Sequence, residues 1–268
     1  MRESVEAPRE PVERTPPSSW VEPAADEGTL KRAFVDVERA VEVGNADLRA
    51  LGFWELVGRA KRDPMRAGVL AEMIGRIDRR EFEARARPRF PVWLGTLALS
   101  AGLLASAALV VLSAWLVYRD PPLPTLAGVL LVAAAVGLSV TAHDLGHWLG
   151  GRLVGIRFLG YFLDGPFRIQ PGLKTDYASY LRATAGQRAW MHASGALASK
   201  LAPFAVFAAA YVPHALNDWS LYPPWSLWAV LVVGAIQVLT DVLWSRKRSD
   251  WKKVARECRA ARDLAARQ

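Results

Sequence analysis

Residues 123–152 read LPTLAGVLLVAAAVGLSVTAHDLGHWLGGR, an uncharged apolar run from Leu123 to Ala142 that ends on His143, Asp144 and His147 before the basic residue Arg152. About 20 apolar residues suffice for a helix to cross roughly 30 Å of hydrocarbon. The stretch is therefore read as a membrane-spanning helix with polar groups gathered near one end. Reading outward, Pro91 to Tyr118 carries no charge and forms a span before it, the two being separated by Arg119, Asp120 and Pro121, Pro122 and Pro124. A third span is predicted from about Trp190 to Val212, interrupted by Lys200, and a fourth from Trp225 to Trp244, interrupted by Asp241. The fold class is thus an all-α polytopic membrane protein with about four transmembrane helices.

The flanks agree with that class. Hydrophobic residues make up 52% of the 268, and the formal net charge of +8 sits mainly in segments beside the apolar tracts. Lys and Arg in such places meet the anionic headgroups of the lipid bilayer and set orientation, so nucleic acid is not read as a partner. Arg85, Arg87 and Arg89 precede the first span, and Arg246, Lys247, Arg248, Lys252 and Lys253 follow the last. Both termini are accordingly expected on the cytoplasmic side, and a prokaryotic cell membrane is the simplest location. Cys258 is the single cysteine, which excludes a disulfide framework or a thiolate metal cluster within the chain.

Four regions follow. Residues 1–27, rich in Pro, Glu and Arg, are predicted to be a disordered tail. Residues 28–89 repeat apolar positions at helical spacing, as in Leu30, Phe34, Val37 and Leu48, Leu51, with breaks at Asn45 and Asp63-Pro64. They predict two or three amphipathic helices on the cytoplasmic side, resting against the membrane domain. Residues 90–245 form that domain, and 246–268 a basic cytoplasmic tail. Inside the membrane domain, 155–188 is too polar to span and is punctuated by Gly160, Gly165-Pro166 and Pro171-Gly172, which predicts a short hairpin between the second and third spans.

The chemistry lies in His143-Asp144-Leu145-Gly146-His147. Two histidines four apart project from one helix face and can share one tetrahedral metal. An acid directly after the first histidine matches the outline of the H-E-x-x-H zinc motif, where the acid is the base acting on metal-bound water and not a ligand. The competing explanation is a polar contact across a helix bundle. Against it stands the cost of ionisable groups within a span, and the placement of two of only four histidines at ligand spacing.

From His143 through Phe204 the chain resembles the site-2 protease family of intramembrane zinc metalloproteases, in which the H-E-x-x-H helix is followed by a hairpin and a helix opening on a Gly-Pro-x-x-Asn type motif. The stretch Ala193-Ser194-Gly195-Ala196-Leu197-Ala198-Ser199-Lys200-Leu201 stands at that place. Asp144 replaces the glutamate, Ala196 the proline and Ser199 the asparagine. The resemblance implies zinc as cofactor, Asp144 as the catalytic base, and hydrolysis of a peptide bond in or near a membrane segment of a protein substrate. The alternative is a catalytically inactive relative that binds membrane partners, motivated by the shorter reach of Asp144. Transport ranks last, because polar positions cluster at one end of the spans.

The family's third ligand is an aspartate in a Leu-Asp-Gly motif on a later helix. Here that tripeptide occurs as Leu163-Asp164-Gly165, before the third span, and reads as a turn. Two candidates remain, Asp241 and Asp250. Asp241 precedes Arg246 by the same five residues that separate His147 from Arg152, which matches the two in depth, whereas Asp250 would lie roughly 13 Å further along a continuous helix. Asp250 also sits among Arg and Lys, in what reads as a solvated cluster. The expected ligand set is His143, His147 and Asp241. His192 and His214 are read as interfacial and as part of an external turn.

Overall fold

The computed structural model describes residues 27–44, 47–85, 88–164, 170–217, 222–239 and 249–266, with backbone alone at 27, 164, 170 and 213–217. The expected tail 1–27 falls outside this set but for its last residue.

Three helices open the described chain: α1 (Glu27–Glu42), α2 (Phe53–Ala60) and α3 (Pro64–Arg85). Asp63 caps α3, its carboxylate accepting from the amides of Met65 at 3.0 Å and Arg66 at 3.3 Å, and Pro64 fits the first turn because its missing N–H has no intrahelical partner there. The apolar faces of the three meet in one core around Leu30, Phe34, Phe53, Leu70 and Ile74, which also takes in Leu181 from a later element.

Next come β1 (Arg89–Phe90) and the long helices α4 (Val92–Tyr118) and α5 (Pro124–Leu153). With α7 (Ala185–Asn217), α4 and α5 are, among the described residues, the three helices long and apolar enough to cross a membrane. Leu104 and Val111 of α4, both 70% exposed, show how much apolar side chain the bundle leaves outward. Such a surface suits a helix embedded in lipid. On the inner side Leu116, Leu131, Ala135, Val206 and Val230 form the bundle core. The fourth expected span corresponds to α8 (Pro224–Leu239), a shorter apolar helix of 16 residues; its predicted continuation through Asp241 to Trp244 lies outside the described residues.

Between α5 and α7 lie β2 (Phe158–Asp164), β3 (Gln170–Thr175) and the short α6 (Tyr177–Arg182). The predicted hairpin is present, and β1 joins it as a third antiparallel strand in the order β1-β2-β3, with Phe90 opposite Tyr161. A two-residue strand has too little pattern to be read in sequence, yet it ties the hairpin to the start of α4. Its turn, 165–169, lies outside the described residues, as does the side chain of Asp164.

The N-terminal helices are bound to the hairpin and α6 by Lys174 with Asp78 at 2.7 Å, Arg79 with Asp176 at 3.4 Å and Arg182 with Glu72 at 2.7 Å. Thr184 and Gln187 start α7 with a reciprocal capping box, at 2.8 and 3.2 Å. The region expected to be a basic tail contains instead a helix, α9 (Asp250–Ala265), capped by Ser249 and packed on α7.

Candidate metal centre

Small residues on α5 and α7 let the two helices approach closely, and the site is built at that approach. A Cβ on Gly146 would stand 2.8 Å from the Ser194 carbonyl oxygen, and one on Gly195 would stand 2.4 Å from the His147 ring. Such contacts are the usual means by which membrane helices pack. The Ser194 hydroxyl, within 2.9 Å of the carbonyl oxygens of both Gly146 and Met191, joins the two backbones. Within the Ala193–Leu201 stretch singled out in sequence, Ser194, Gly195, Ala198 and Ser199 face the histidine helix.

Both imidazoles are oriented by the nitrogen that points away from their shared face. His147 Nδ1–H donates to the Met191 carbonyl oxygen at 2.8 Å. Ser199 Oγ donates to the Ala196 carbonyl at 3.2 Å and can therefore accept from His143 Nδ1–H, also at 3.2 Å. Each ring then turns an Nε2 lone pair toward the same point, the arrangement seen in metal-ligating histidines whose tautomer is fixed by a backbone or side-chain acceptor. Ser199 thus has a task of its own.

The group opposite the histidines is Asp250. Its Oδ2 lies 3.1 Å from His147 Nε2 and 3.4 Å from His143 Nε2, and the three donor atoms fall within 4.8 Å of one another. In a tetrahedron with bonds of about 2.0 Å, adjacent donors stand about 3.3 Å apart, and the two distances to Asp250 Oδ2 suit such an ion. Two imidazole lone pairs and a carboxylate oxygen also repel unless a cation balances them. A proton on an Nε2 atom or a single divalent ion would relieve that repulsion.

Asp250 reaches this place because a new helix begins there. Ser249 accepts from the Trp251 amide, and the Lys253 ammonium donates to Asp250 Oδ1 at 2.8 Å, leaving Oδ2 for the histidines. Burial works against the charged Asp250 carboxylate, and the Lys253 ammonium at 2.8 Å favours it. The expected solvated cluster is therefore corrected: the Asp250 side chain is 14% exposed. The candidate preferred in sequence, Asp241, lies outside the described residues, and among those described Asp250 is the acid that stands with the two histidines.

Asp144, on the next face of α5, is buried, and its Oδ2 has no hydrogen-bond partner among the described residues. A buried carboxylate oxygen without a donor is costly. His192, expected at the interface, is instead enclosed, its Nε2 3.2 Å from Tyr180 Oη and its Nδ1 3.8 Å from Asp250 Oδ1. His214 lies on α7 where only the backbone is described. Comparison with family models, with curated proteins and with solved structures returns no match.

Proposed function

We propose that the chain is a zinc-dependent intramembrane endopeptidase similar to the site-2 proteases, with His143, His147 and Asp250 as protein ligands. The observation that carries this reading is the convergence of two histidine Nε2 atoms on one carboxylate oxygen, at 3.1 and 3.4 Å, distances suited to a tetrahedral ion. It moves the third ligand from Asp241 to Asp250. The topology we propose has four spans, α4, α5, α7 and one built on α8, in a prokaryotic cell membrane with both ends cytoplasmic.

Zinc in this place would polarise a scissile carbonyl and lower the pKa of a bound water. The residues do the rest. His143 and His147 keep their Nε2 atoms available because Ser199 and Met191 engage the opposite nitrogens. Asp144, with an unengaged oxygen, takes the proton from the attacking water and delivers it to the leaving amine. The protein substrate must present an unwound segment, since the carbonyls of an intact helix are already hydrogen-bonded.

The shorter Asp144 favours a second reading, a metal-binding membrane protein without hydrolysis. A carboxylate one carbon–carbon bond shorter than glutamate reaches about 1.5 Å less. Full-length protein purified in detergent, assayed for zinc and for cleavage of a reconstituted membrane-protein substrate, separates the two. Cleavage abolished by a chelator and by His143→Ala supports the peptidase. Zinc without cleavage supports the binder, and a protein that takes up no zinc defeats both.

A further inference from the structure

The third ligand is carried by a helix held in place through one buried carboxylate. Glu257 lies on α9 seven residues after Asp250, two turns along the same face. It is fully buried. Three donors from three parts of the chain converge on it: Lys61, which follows α2; Tyr180 Oη of α6 at 3.0 Å; and Arg188 Nε of α7 at 2.7 Å. Arg188 is itself fixed by donating to the Ala183 carbonyl at 2.6 Å. Burial pushes the Glu257 carboxyl up, but Lys61 and Arg188 outweigh it and keep the group below its ordinary value, hence ionised.

Little apolar packing replaces this contact on the α2 side. A cavity of about 470 Å³ separates the two helices, with Trp54, Val57 and Lys61 on one wall and Glu257, Ala260 and Leu264 on the other. Charge therefore carries the attachment of α9 to the N-terminal helices. From Glu257 the chain of contacts continues through Tyr180 Oη to His192 Nε2 at 3.2 Å and on to Asp250, 3.8 Å from His192 Nδ1.

We propose that Glu257 is the positioning residue for Asp250, so that the metal centre is complete only while α9 is latched to Lys61 and Arg188, and the N-terminal helices thereby govern metal affinity. This rests on the metal site proposed above. The latch touches neither the metal donors nor any reacting atom. What it sets is where Asp250 stands.

Cobalt, whose visible bands report ligand number and geometry, is the probe, added to full-length protein in detergent. Glu257→Gln, of equal volume, and Lys61→Met, at a partly exposed position, are each expected to weaken cobalt binding by about 10–100-fold, the range for groups that orient a ligand, and to alter the bands as Asp250→Ala does. A spin label on Cys258, the exposed single cysteine on α9, should gain mobility in both variants. Arg76→Met, which breaks the outlying pair with Glu38, should leave cobalt binding unchanged. Wild-type affinity, bands and label mobility in Glu257→Gln would overturn the latch while leaving the site. An effect in Glu257→Gln with none in Lys61→Met would overturn the control by the N-terminal helices. Absence of cobalt binding in the wild type would remove the metal site and the latch with it.

Discussion

Two contacts assemble the candidate centre, and they are made of different material. The α5–α7 contact that sets the histidines is a fit of small residues, with Gly195 leaving space for the His147 ring. The contact that brings Asp250 is a fit of charges, with Glu257 among Lys61, Tyr180 and Arg188 beside a cavity. Shape complementarity in a packed bundle responds little to pH or salt, whereas ion pairs respond to both. The histidine pair is thus the permanent half of the site and the carboxylate the conditional half.

Damage to the permanent half should be the most severe. Gly195→Val would put side-chain atoms inside the space of the His147 ring. Overpacking of this kind costs about 1–3 kcal/mol, and relief requires the helices to part, so zinc should be absent by elemental analysis and the thermal midpoint lowered. Normal zinc content in this variant would contradict the close-fit account of α5 and α7.

Asp144 comes next, since in the proposed mechanism it would act beside the metal without holding it. Asp144→Ala should retain zinc and reduce cleavage by about 10²–10⁴-fold, the usual contribution of a general base. Asp144→Glu should preserve or raise the rate. An inactive glutamate variant with zinc in place would mean that the site is shaped around the shorter acid.

On the conditional half, Asp250→Ala should cost zinc affinity more than the roughly 10–100-fold typical of a residue that only orients a ligand, while Asp241→Ala retains the metal. Isothermal titration of each variant measures the difference. The reverse ranking would return the third position to Asp241.

Acid should act on the same half with the smallest effect. The folded pKa of Glu257 lies below its unfolded value of about 4.3. Its stabilising contribution is therefore fully present above pH of about 4.3 and is lost as pH falls toward the depressed folded value. A label on Cys258 should report α9 loosening in that acid range while helix content, followed by circular dichroism, stays nearly constant. Simultaneous loss of both signals would make the two contacts one cooperative unit.

The permanent half was legible in sequence, and the reason is local. A spacing of four residues fixes which side chains share a helix face, so His143 and His147 could be paired from position alone. Apolar length identified α4, α5 and α7 as candidate spans in the same way. The conditional half was not legible, because it depends on a change of chain direction. The depth comparison that favoured Asp241 treated the chain as one continuing helix, whereas a separate helix starts at Asp250 under a Ser249 cap.

The basic residues around Asp250 hid its burial. Lys253 is its partner, and Glu257, an acid two turns on in a basic helix, faces inward. The signals that could have found it were the Ser249 cap and the seven-residue spacing of the two acids. His192 was misplaced for a similar reason: a position near a span end reads as interfacial until α9 is known to cover it. Ser199 was noticed only as a departure from a motif, although a hydroxyl facing His143 meets the same requirement for an acceptor.

The distance along the chain between His147 and Asp250, 103 residues, also sets an order of events during synthesis. At about 5–20 residues per second, the histidines leave the ribosome roughly 5–20 s before the carboxylate. During that interval α5 and α7 can enter the bilayer and pair, but the third donor has not been made. A nascent chain is thus without a complete centre while it lies among the other proteins of the insertion machinery, and the last described helix to emerge, α9, is the one that completes it.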